Sequence, residues 1–402
     1  MKPDYQEQGA QRYVRGEVKR FHEKYMMFRR VMWDMPALGK KLYFTPKQPD
    51  QNRPGYRLQD LALRNATWDL EREYGMGNRG GRQMLLDWER PPKGEFAPPR
   101  GLRLENLDPA AASRMVKQAA RFMGASLVGI CRLDMRWVYS HAYYPQIRNP
   151  FAGEPLSEQE LTVGKSEPIE IEPEFRWVIV LAFAMDYRLS RLSPTYTAGA
   201  GAGLCYSKMP MVAAMVAQFI RGLGYRALPM GNDTALSIPL AVDAGLGELG
   251  RNGLLITPGY GPRVRLAKVF TDLPLAPDRP ISFGVWEFCR VCKKCAQNCP
   301  SRSISTGPPT TEVHNVSNNQ GIYRWPVNGE SCIAFWEKNH SCSCLNCIRT
   351  CPFNKPPGLL HELVRLGVKR RVDWLNRFFV WGDEYFGYNK RRDPAGFWQG
   401  RT

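Results

Sequence analysis

Histidine is scarce in this sequence, with five in 402 residues, and no two of them are four residues apart. A metal site built on histidines is therefore not expected. Long apolar segments are also missing: the longest near-continuous one, residues 177–185, has nine residues, whereas a membrane-spanning helix needs about 20. The first ten residues are polar, and Arg29 and Arg30 precede no long apolar stretch. Neither a secretory signal nor a usable twin-arginine signal is expected.

Acidic residues are outnumbered, 38 against 56 lysines and arginines, so the formal net charge is +18. The cations are scattered, and the densest clusters are 369–371 and 390–392. A solvated basic surface is the first interpretation. A docking face for a redox partner or a membrane comes second, and nucleic-acid binding third.

Cysteines carry the strongest signal. Nine of the eleven fall between residues 289 and 351, which is unlike the spread of a disulfide scaffold. The first group reads C-x2-C-x2-C-x3-C-P and the second C-x11-C-x2-C-x3-C-P. This is the ferredoxin spacing, in which the fourth cysteine of one run binds the cluster of the other. The spacing predicts two [4Fe–4S] clusters, one held by Cys289, Cys292, Cys295 and Cys351, the other by Cys299, Cys332, Cys344 and Cys347.

Other readings of these cysteines remain. Two structural zinc sites are the alternative, although the x3-C-P ending is present twice. Cys342 is outside the pattern and would compete with Cys344 as a ligand. Cys131, in an apolar run, is expected in the core.

The secondary structure expected around the cysteine region is mixed α and β. Asp108 and Pro109 predict the start of a helix over residues 110–123. Strands are expected at 126–132, 174–185, 226–230, 254–256 and 264–270. Ser207 is predicted to cap a helix with Pro210 in its first turn, and Gly222 and Gly224 to end it.

Two glycine-rich segments, 198–203 and 244–253, lack the G-x-G-x-x-G pattern of a phosphate loop. For the first, we expect close approach of the backbone to a large flat ligand. Tyr206, placed just before the predicted helix start, would then face a cavity.

From Tyr206 to Cys351, about 150 residues, the chain resembles the corrinoid and iron–sulfur reductive dehalogenases. A weaker likeness lies near residues 20–34. The motifs that carry the resemblance are YSKM (206–209), IRGLGY (220–225), GND (231–233), AGLGELGR (244–251), RLAKVFTDLPL (265–275) and both cysteine groups.

The resemblance implies an α+β fold, with a nitroreductase-like α/β core that binds base-off cobalamin and is fused to a bacterial-type two-[4Fe–4S] ferredoxin module. It also implies that Tyr206 is the proton donor, Arg265 its neighbouring cation and Asn232 a pocket residue. A cation beside a tyrosine favours proton release. Trp336 is a candidate wall of the substrate pocket, and such aromatics also shield clusters. The candidate corrinoid contacts are Ser207, Met209, Leu246, Gly247, Gly250 and Arg251.

Four units are predicted. Residues 1–105 form an N-terminal wrapping unit of short helices and loops, and 106–280 form the corrinoid-binding core with an inserted loop at 141–173. Residues 281–356 form the ferredoxin-like module, and 357–402 a C-terminal extension packed on the core.

Three functions compete. The first is a reductive dehalogenase acting on a small organohalide. The second is an epoxyqueuosine-reductase-like enzyme acting on tRNA, a group that uses a carboxylate as proton donor. The third is a non-catalytic two-cluster electron carrier, which would leave the α/β core unexplained.

For the first function we expect no nucleic-acid partner, and an external low-potential electron donor such as a ferredoxin, a flavodoxin or a membrane quinol chain. A small membrane anchor protein is a possible partner. The expected location is the outer face of the cytoplasmic membrane if a twin-arginine signal has been removed, or otherwise the cytoplasm.

Overall fold

The computed structural model describes residues 8–75, 84–92, 99, 101–145 and 157–400. The helices within these ranges are α1 (Met27–Trp33), α2 (Pro36–Tyr43), α3 (Leu58–Tyr74), α4 (Pro109–Phe122), α5 (Glu158–Thr162), α6 (Tyr187–Ser190), α7 (Tyr196–Gly222), α8 (Ser237–Asp243), α9 (Val285–Val291), α10 (Lys294–Gln297), α11 (Gly329–Lys338), α12 (Asn346–Arg349), α13 (Leu359–Val368) and α14 (Asp373–Tyr385). The strands are β1 (Leu127–Arg132), β2 (His141–Pro145), β3 (Gly164–Pro168), β4 (Trp177–Ala184), β5 (Ala227–Met230), β6 (Glu248–Leu249), β7 (Leu255–Ile256) and β8 (Val264–Thr271).

A four-stranded antiparallel sheet lies at the centre, in the order β1-β4-β8-β5. Its central strand β4 is almost wholly buried, because both faces of the sheet are covered. Val178 and Val180 pack in one apolar cluster, and Ile179 and Leu181 pack in the other. This is the period-two alternation of a strand. The five predicted strands are confirmed, each within a few residues of its expected bounds.

The long helix α7 covers one face of the sheet. It begins at Tyr196 and is capped by Thr195, whose hydroxyl accepts a hydrogen bond from the Ala198 amide. The prediction that a helix begins at Ser207 was therefore wrong, because Ser207 and Pro210 both lie inside α7. The expectation of a flat ligand against residues 198–203 was also wrong. These residues are helical, and the glycines lie against α3 and α6: a Cβ at Gly203 would meet the Trp68 ring at 2.3 Å.

Among the described residues, α7 is the one helix whose length and apolar composition would suffice to cross a bilayer. Its most apolar window has a mean hydropathy of 1.2, and 61% of that window is buried within the protein. Packing in the core accounts for its apolar composition.

The N-terminal region wraps onto the core. The Ala10 amide donates to the Asp243 carboxylate at 2.7 Å, and Arg12 pairs with Glu248 at 3.3 Å, both in buried positions. Helices α1 and α2 are short, as predicted for this region, but α3 has 17 residues and packs along α7. The segment 141–173 is not simply a loop, since β2 and β3 form an antiparallel hairpin there. Its residues 146–156 lie outside the described residues.

The C-terminal helices pack on the cysteine-rich region as well as on the core. Asp383 of α14 forms buried ion pairs with Lys294, at 2.7 Å, and with Lys355. The backbone amide of Arg392 donates to the Arg191 carbonyl next to α6 at 3.1 Å. The last helices therefore tie the two regions together.

Candidate active site

Tyr206 and Arg265 are brought together by α7 and β8. The Arg265 guanidinium carbon lies 5.3 Å from the centre of the Tyr206 ring. Alternation along β8 turns Arg265 toward α7, since its neighbours on the same face, Ala267 and Val269, pack in the cluster that α7 covers. On its other side the Tyr206 ring stacks on Trp68 of α3, with centroids 4.8 Å apart and an interplanar angle of 23°. Tyr206 is thus held between an indole and a cation.

The helix is locally interrupted at the same place. Pro210 has no amide hydrogen, so the carbonyl of Tyr206, four residues earlier, receives no helical hydrogen bond from it. The missing hydrogen bond could not be predicted from the residue types alone, because the sequence does not show that the helix continues through Pro210.

Arg265 also faces the cysteine region. Its positive charge lowers the pKa of the Cys347 thiol, although burial raises that pKa more strongly. Its Nη1 donates to the Val264 carbonyl at 3.3 Å, and its Nε is buried without a hydrogen-bond partner. The guanidinium therefore lies between the tyrosine and the second set of cysteines.

Asn232 lies in the turn that follows β5, half-buried. It forms no hydrogen bond with Tyr206 or Arg265 among the described residues.

A buried lysine of β8 organises this turn. Lys268 Nζ donates to the Gly231 carbonyl at 2.6 Å, the Ala235 carbonyl at 2.9 Å and Ser237 Oγ at 2.9 Å. The sequence reasoning missed Lys268. The one signal that could have found it is its position between two apolar residues of a predicted buried strand.

The first predicted set of cysteines lines one small cavity. Cys289, Cys292, Cys295 and Cys351 all border it, with Arg251 beside them. Residues up to 62 positions apart in sequence are thus brought to a single place. Cys351 of the second run therefore lies with three cysteines of the first, and their role as ligands of one cluster stays a prediction.

The second predicted set is also gathered together. The pKa of the Cys347 thiol is raised by burial and by Cys344, Cys332 and Cys299, in that order. Cys347 is also among the groups that raise the pKa of Cys295, so the two sets are neighbours. Cys342 instead is fully buried in a separate cluster with Tyr56, Leu61 and Tyr196.

Burial keeps these thiols protonated in the absence of a bound metal. It raises the pKa of Cys289 and Cys332 to about 12 and that of Cys292 and Cys344 to about 11. A buried thiolate needs a compensating positive charge, and iron would supply one.

Trp336 lies one helical turn after Cys332 on α11 and contacts Phe28, with ring centroids 5.5 Å apart. Its indole also acts on Cys332: a side-chain hydrogen bond from Trp336 lowers the pKa of that thiol, although burial raises this pKa more strongly. The ring packs against the apolar cluster of α1 and α2. The Trp336 donor is therefore directed at a member of the second cysteine set.

Tyr43 of α2, which the sequence reasoning missed, lies near Tyr206. Its side chain is 46% exposed. Desolvation raises its pKa, and Arg29 and Tyr206 are the charged groups that act on it.

The predicted corrinoid contacts are mostly used within the protein. Ser207 Oγ donates to the Thr67 carbonyl at 2.7 Å and accepts from the Glu71 amide at 3.2 Å, which ties α7 to α3. Met209 is fully buried in the core.

The second glycine-rich segment behaves in the same way. Leu246 is in the core, and a Cβ at Gly247 would lie 2.2 Å from the Ile256 carbonyl oxygen. A Cβ at Gly250 would lie 2.8 Å from the Ile256 side chain. Arg251 donates to three backbone carbonyls of the cysteine-rich region. These contacts explain the residue types without a ligand, and their predicted corrinoid role stays a prediction.

Comparison with known proteins identifies the family. Over 371 residues the chain is 37% identical to the tetrachloroethene reductive dehalogenase of Sulfurospirillum multivorans, covering 89% of this chain and 73% of that protein. The chain belongs to the reductive dehalogenases. It is also 42% identical over 308 residues to the tetrachloroethene reductive dehalogenase of Dehalobacter restrictus, covering 70% of this chain and 55% of that protein. No protein-family profile matches the chain.

The fold agrees with this family. A catabolic reductive dehalogenase solved with 3-bromo-4-hydroxybenzoic acid superposes with a TM-score of 0.68 at 24% identity, covering 94% of this chain and 48% of that one. Similarity to the epoxyqueuosine reductase of Listeria monocytogenes is lower, 28% over 186 residues, covering 41% of each chain. The chain therefore spans about three quarters of one relative and about half of the others described here.

Proposed function

We propose that this chain catalyses the reductive removal of a halogen from a small organohalide. The reaction consumes the carbon–halogen bond, two electrons and one proton, and yields a carbon–hydrogen bond and a halide ion. The observation that carries the proposal is the placement of Tyr206 against Arg265, which in turn faces Cys347. The residue we propose as proton donor thus lies near a cysteine that we propose as a cluster ligand, in a chain of this family.

We further propose that the cysteine-rich region is a ferredoxin-like module with two [4Fe–4S] clusters, held by the two predicted sets. Within the described residues, no three His, Cys, Asp or Glu side chains are placed to hold a single metal ion. A zinc ion needs four ligands within about 2.3 Å. Thiols spread around a cavity suit a cubane better, and Trp336, beside Cys332, would donate to that ligand sulfur.

The core would be nitroreductase-like and bind base-off cobalamin. Arg265 Nε, buried without a hydrogen-bond partner beside the Tyr206 ring, would face such a group. The reduced corrinoid, once bound and supplied by the clusters, contributes the two electrons. Tyr206 would donate the proton from its hydroxyl, and Arg265 would stabilise the phenolate that remains. Lys268 would hold the turn of Asn232, and Asn232 would orient the substrate or the phenol.

The electron donor is proposed to be a separate low-potential protein or a membrane quinol chain. A small membrane anchor protein is proposed as a further partner. Location on the outer face of the cytoplasmic membrane follows if an export signal is removed, and location in the cytoplasm otherwise. The basic surface would suit an acidic donor, and salt would then slow electron transfer.

The test is halide release by protein reconstituted anaerobically with iron, sulfide and cobalamin, using chlorinated ethenes, alkanes and phenols. Tyr206→Phe keeps the ring between Trp68 and Arg265 but removes the proton. Loss of a general acid is expected to lower the rate about 10²–10⁴-fold. Tyr225→Phe is the matched control, because it removes a hydroxyl that donates to the Leu104 carbonyl at 2.9 Å in the same core.

A rate unchanged in Tyr206→Phe would remove this residue from the mechanism while keeping the enzyme class. No halide release from protein that holds cobalamin and about eight irons per chain would contradict the proposed function. A tRNA bearing epoxyqueuosine would then be the next substrate.

A further inference from the structure

Three serine hydroxyls lie in hydrogen-bond contact beside Cys299, a member of the second cysteine set. Ser301 Oγ lies 3.3 Å from Cys299 Sγ and 2.6 Å from Ser303 Oγ. Ser303 Oγ in turn lies 2.7 Å from Ser331 Oγ. Ser303 is 2% exposed, and the other two serines are half-buried. The three hydroxyls therefore form a continuous row, termed here the serine network, that ends on a sulfur atom.

The backbone after Cys299 brings two donors to the same sulfur. The amide of Arg302 donates to the Cys299 carbonyl at 3.1 Å, which closes a turn. Next in the chain, the Ser303 amide donates to Cys299 Sγ at 3.3 Å. Ser301 and Ser303 flank Arg302, whose side chain is exposed. The two serines thus face the sulfur while the residue between them faces solvent.

The other end of the serine network lies on α11. Ser331 is in the first turn of that helix, one residue before Cys332, which belongs to the same cysteine set. Its hydroxyl has a second acceptor within reach, the Asn328 carbonyl, but at 3.3 Å instead of 2.7 Å. The network therefore connects one predicted cluster ligand to the helical turn that carries another.

The number of hydroxyl hydrogens fixes the direction of these bonds when iron is bound. A serine hydroxyl has one hydrogen to donate, and a cysteine that binds a metal does so as a thiolate, which has none. Ser301 must then donate to Cys299, Ser303 to Ser301, and Ser331 to Ser303. Each bond polarises the next, so a row of hydroxyls donates more strongly than one hydroxyl alone.

The first cysteine set has a different environment. Its sulfurs at Cys289 and Cys292 are hydrogen-bonded by the backbone groups of Arg251 and Lys294. Within the part of the chain that the structure describes, no hydroxyl side chain bonds a sulfur of this set. Hydroxyl donors are therefore concentrated on one of the two sets.

We propose that the serine network raises the reduction potential of the second cluster above that of the first. This inference rests on the proposed function, in which each cysteine set holds one [4Fe–4S] cluster. A hydrogen bond to a ligand sulfur stabilises the additional negative charge of the reduced state. One electron would then pass from the first cluster, which is oxidised, to the second, which is reduced, while every hydroxyl keeps its hydrogen.

The position of the second set gives this order a purpose. Cys347 of that set lies near Arg265, which contacts the Tyr206 ring. A higher potential at this set favours the arrival of electrons on the side of the protein where the proposed proton donor lies. The serines would act through the cluster, as residues that position its potential, and would not contact the substrate.

The test is a redox titration of the full reconstituted chain, followed by the electron paramagnetic resonance of the reduced clusters. Cys332→Ser exchanges one proposed ligand and so identifies the signal of the second cluster. Ser301→Ala removes the hydroxyl beside Cys299. We expect the equilibrium constant for reduction of the second cluster to fall about tenfold, which is about 59 mV for one electron. The potential of the first cluster should not change.

Three further variants separate this effect from a loss of structure. Ser303→Ala keeps the backbone amide on Cys299 but interrupts the network, so a smaller shift in the same direction is expected. Ser301→Thr keeps a hydroxyl and should restore most of the potential. Thr306→Val removes an exposed hydroxyl of the same region. It is the matched control and should leave both potentials unchanged.

Unchanged potentials in Ser301→Ala, in protein that holds about eight irons per chain, would overturn this inference and leave the proposed function standing. An equal shift of both potentials would also overturn it, because the serines contact one set alone. Wild type that binds no second cluster would contradict the two-cluster assignment and this inference together. If Ser301→Ala loses the second cluster, Ser303→Ala decides by the same criterion.

Discussion

Arg251 gives the sharpest prediction, because its environment is fully specified. Its side chain is 2% exposed. Nε donates to the Cys289 carbonyl at 3.0 Å, and Nη1 to the carbonyls of Ser305 at 2.7 Å and Gly307 at 3.1 Å. The guanidinium also lies 4.6 Å from the centre of the Trp325 ring. One side chain of the core thus fixes the backbone that carries the first cysteine.

Replacing it by methionine removes three hydrogen bonds from a charged donor. Such bonds contribute about 1.5–3 kcal/mol each. The variant also avoids the desolvation free energy of a buried guanidinium, which offsets part of this loss. We expect Arg251→Met to lower the free energy of unfolding by about 3 kcal/mol. Arg251→Lys should lose less, since it keeps the charge but has no planar fork to reach all three carbonyls.

The measurement is urea unfolding under anaerobic conditions, together with iron and sulfide analysis. If the two proposed clusters are bound, the first should be lost before the second, so iron is expected to fall from about eight toward about four per chain. Arg302→Met serves as the control. A loss below about 1 kcal/mol with full iron content would refute the assignment of Arg251 as the brace of this module.

Three further predictions follow from buried contacts. Asp383→Asn leaves the buried Lys355 without its carboxylate and the buried Lys294 with Glu384 alone, so urea unfolding should show a loss of about 3 kcal/mol; a loss near zero would contradict the burial of this triad. Gly203→Ala pushes a Cβ into Trp68 and should lower both stability and halide release, whereas Gly222→Ala, with open space around it, should be neutral. Burial lowers the pKa of Lys268 to about 8, against about 10.4 in an unfolded chain. The unfolded state then binds more protons between these values, so stability should rise with pH from about 8 to 10. Lys268→Met should flatten that rise, and an identical slope in both proteins would refute it.

The cysteine sets and the strands were predictable because local rules govern them. Ligand spacing is set by the cluster, and buried strands show as short apolar runs. Cys351 lies with Cys289 around one cavity although the two are far apart in sequence, and the assignment of the two ligand sets stays a prediction. Cys342 was left open, and its burial with Tyr56 and Tyr196 could not be predicted from spacing.

The start of α7 was predicted wrongly because local propensity opposed the fold. Glycines and an internal proline disfavour a helix, so a start at Ser207 was preferred. Packing against α3 outweighs that preference, and the glycines permit it. The partners of Tyr206 were equally hidden: Trp68 lies in a region of weak periodicity, and only the tertiary structure brings it to the ring.

Strand β8 carries Arg265 toward α7 and Lys268 toward the opposite face, and this has a consequence for how the family can vary. The two cations are an odd number of residues apart, so a single insertion or deletion between them would send one of them to the wrong face. Substitutions on α1 and α2, whose residue Tyr43 lies near Tyr206, leave this register untouched. We therefore expect natural variants to change substrate range through the N-terminal helices, while the length of β8 stays fixed.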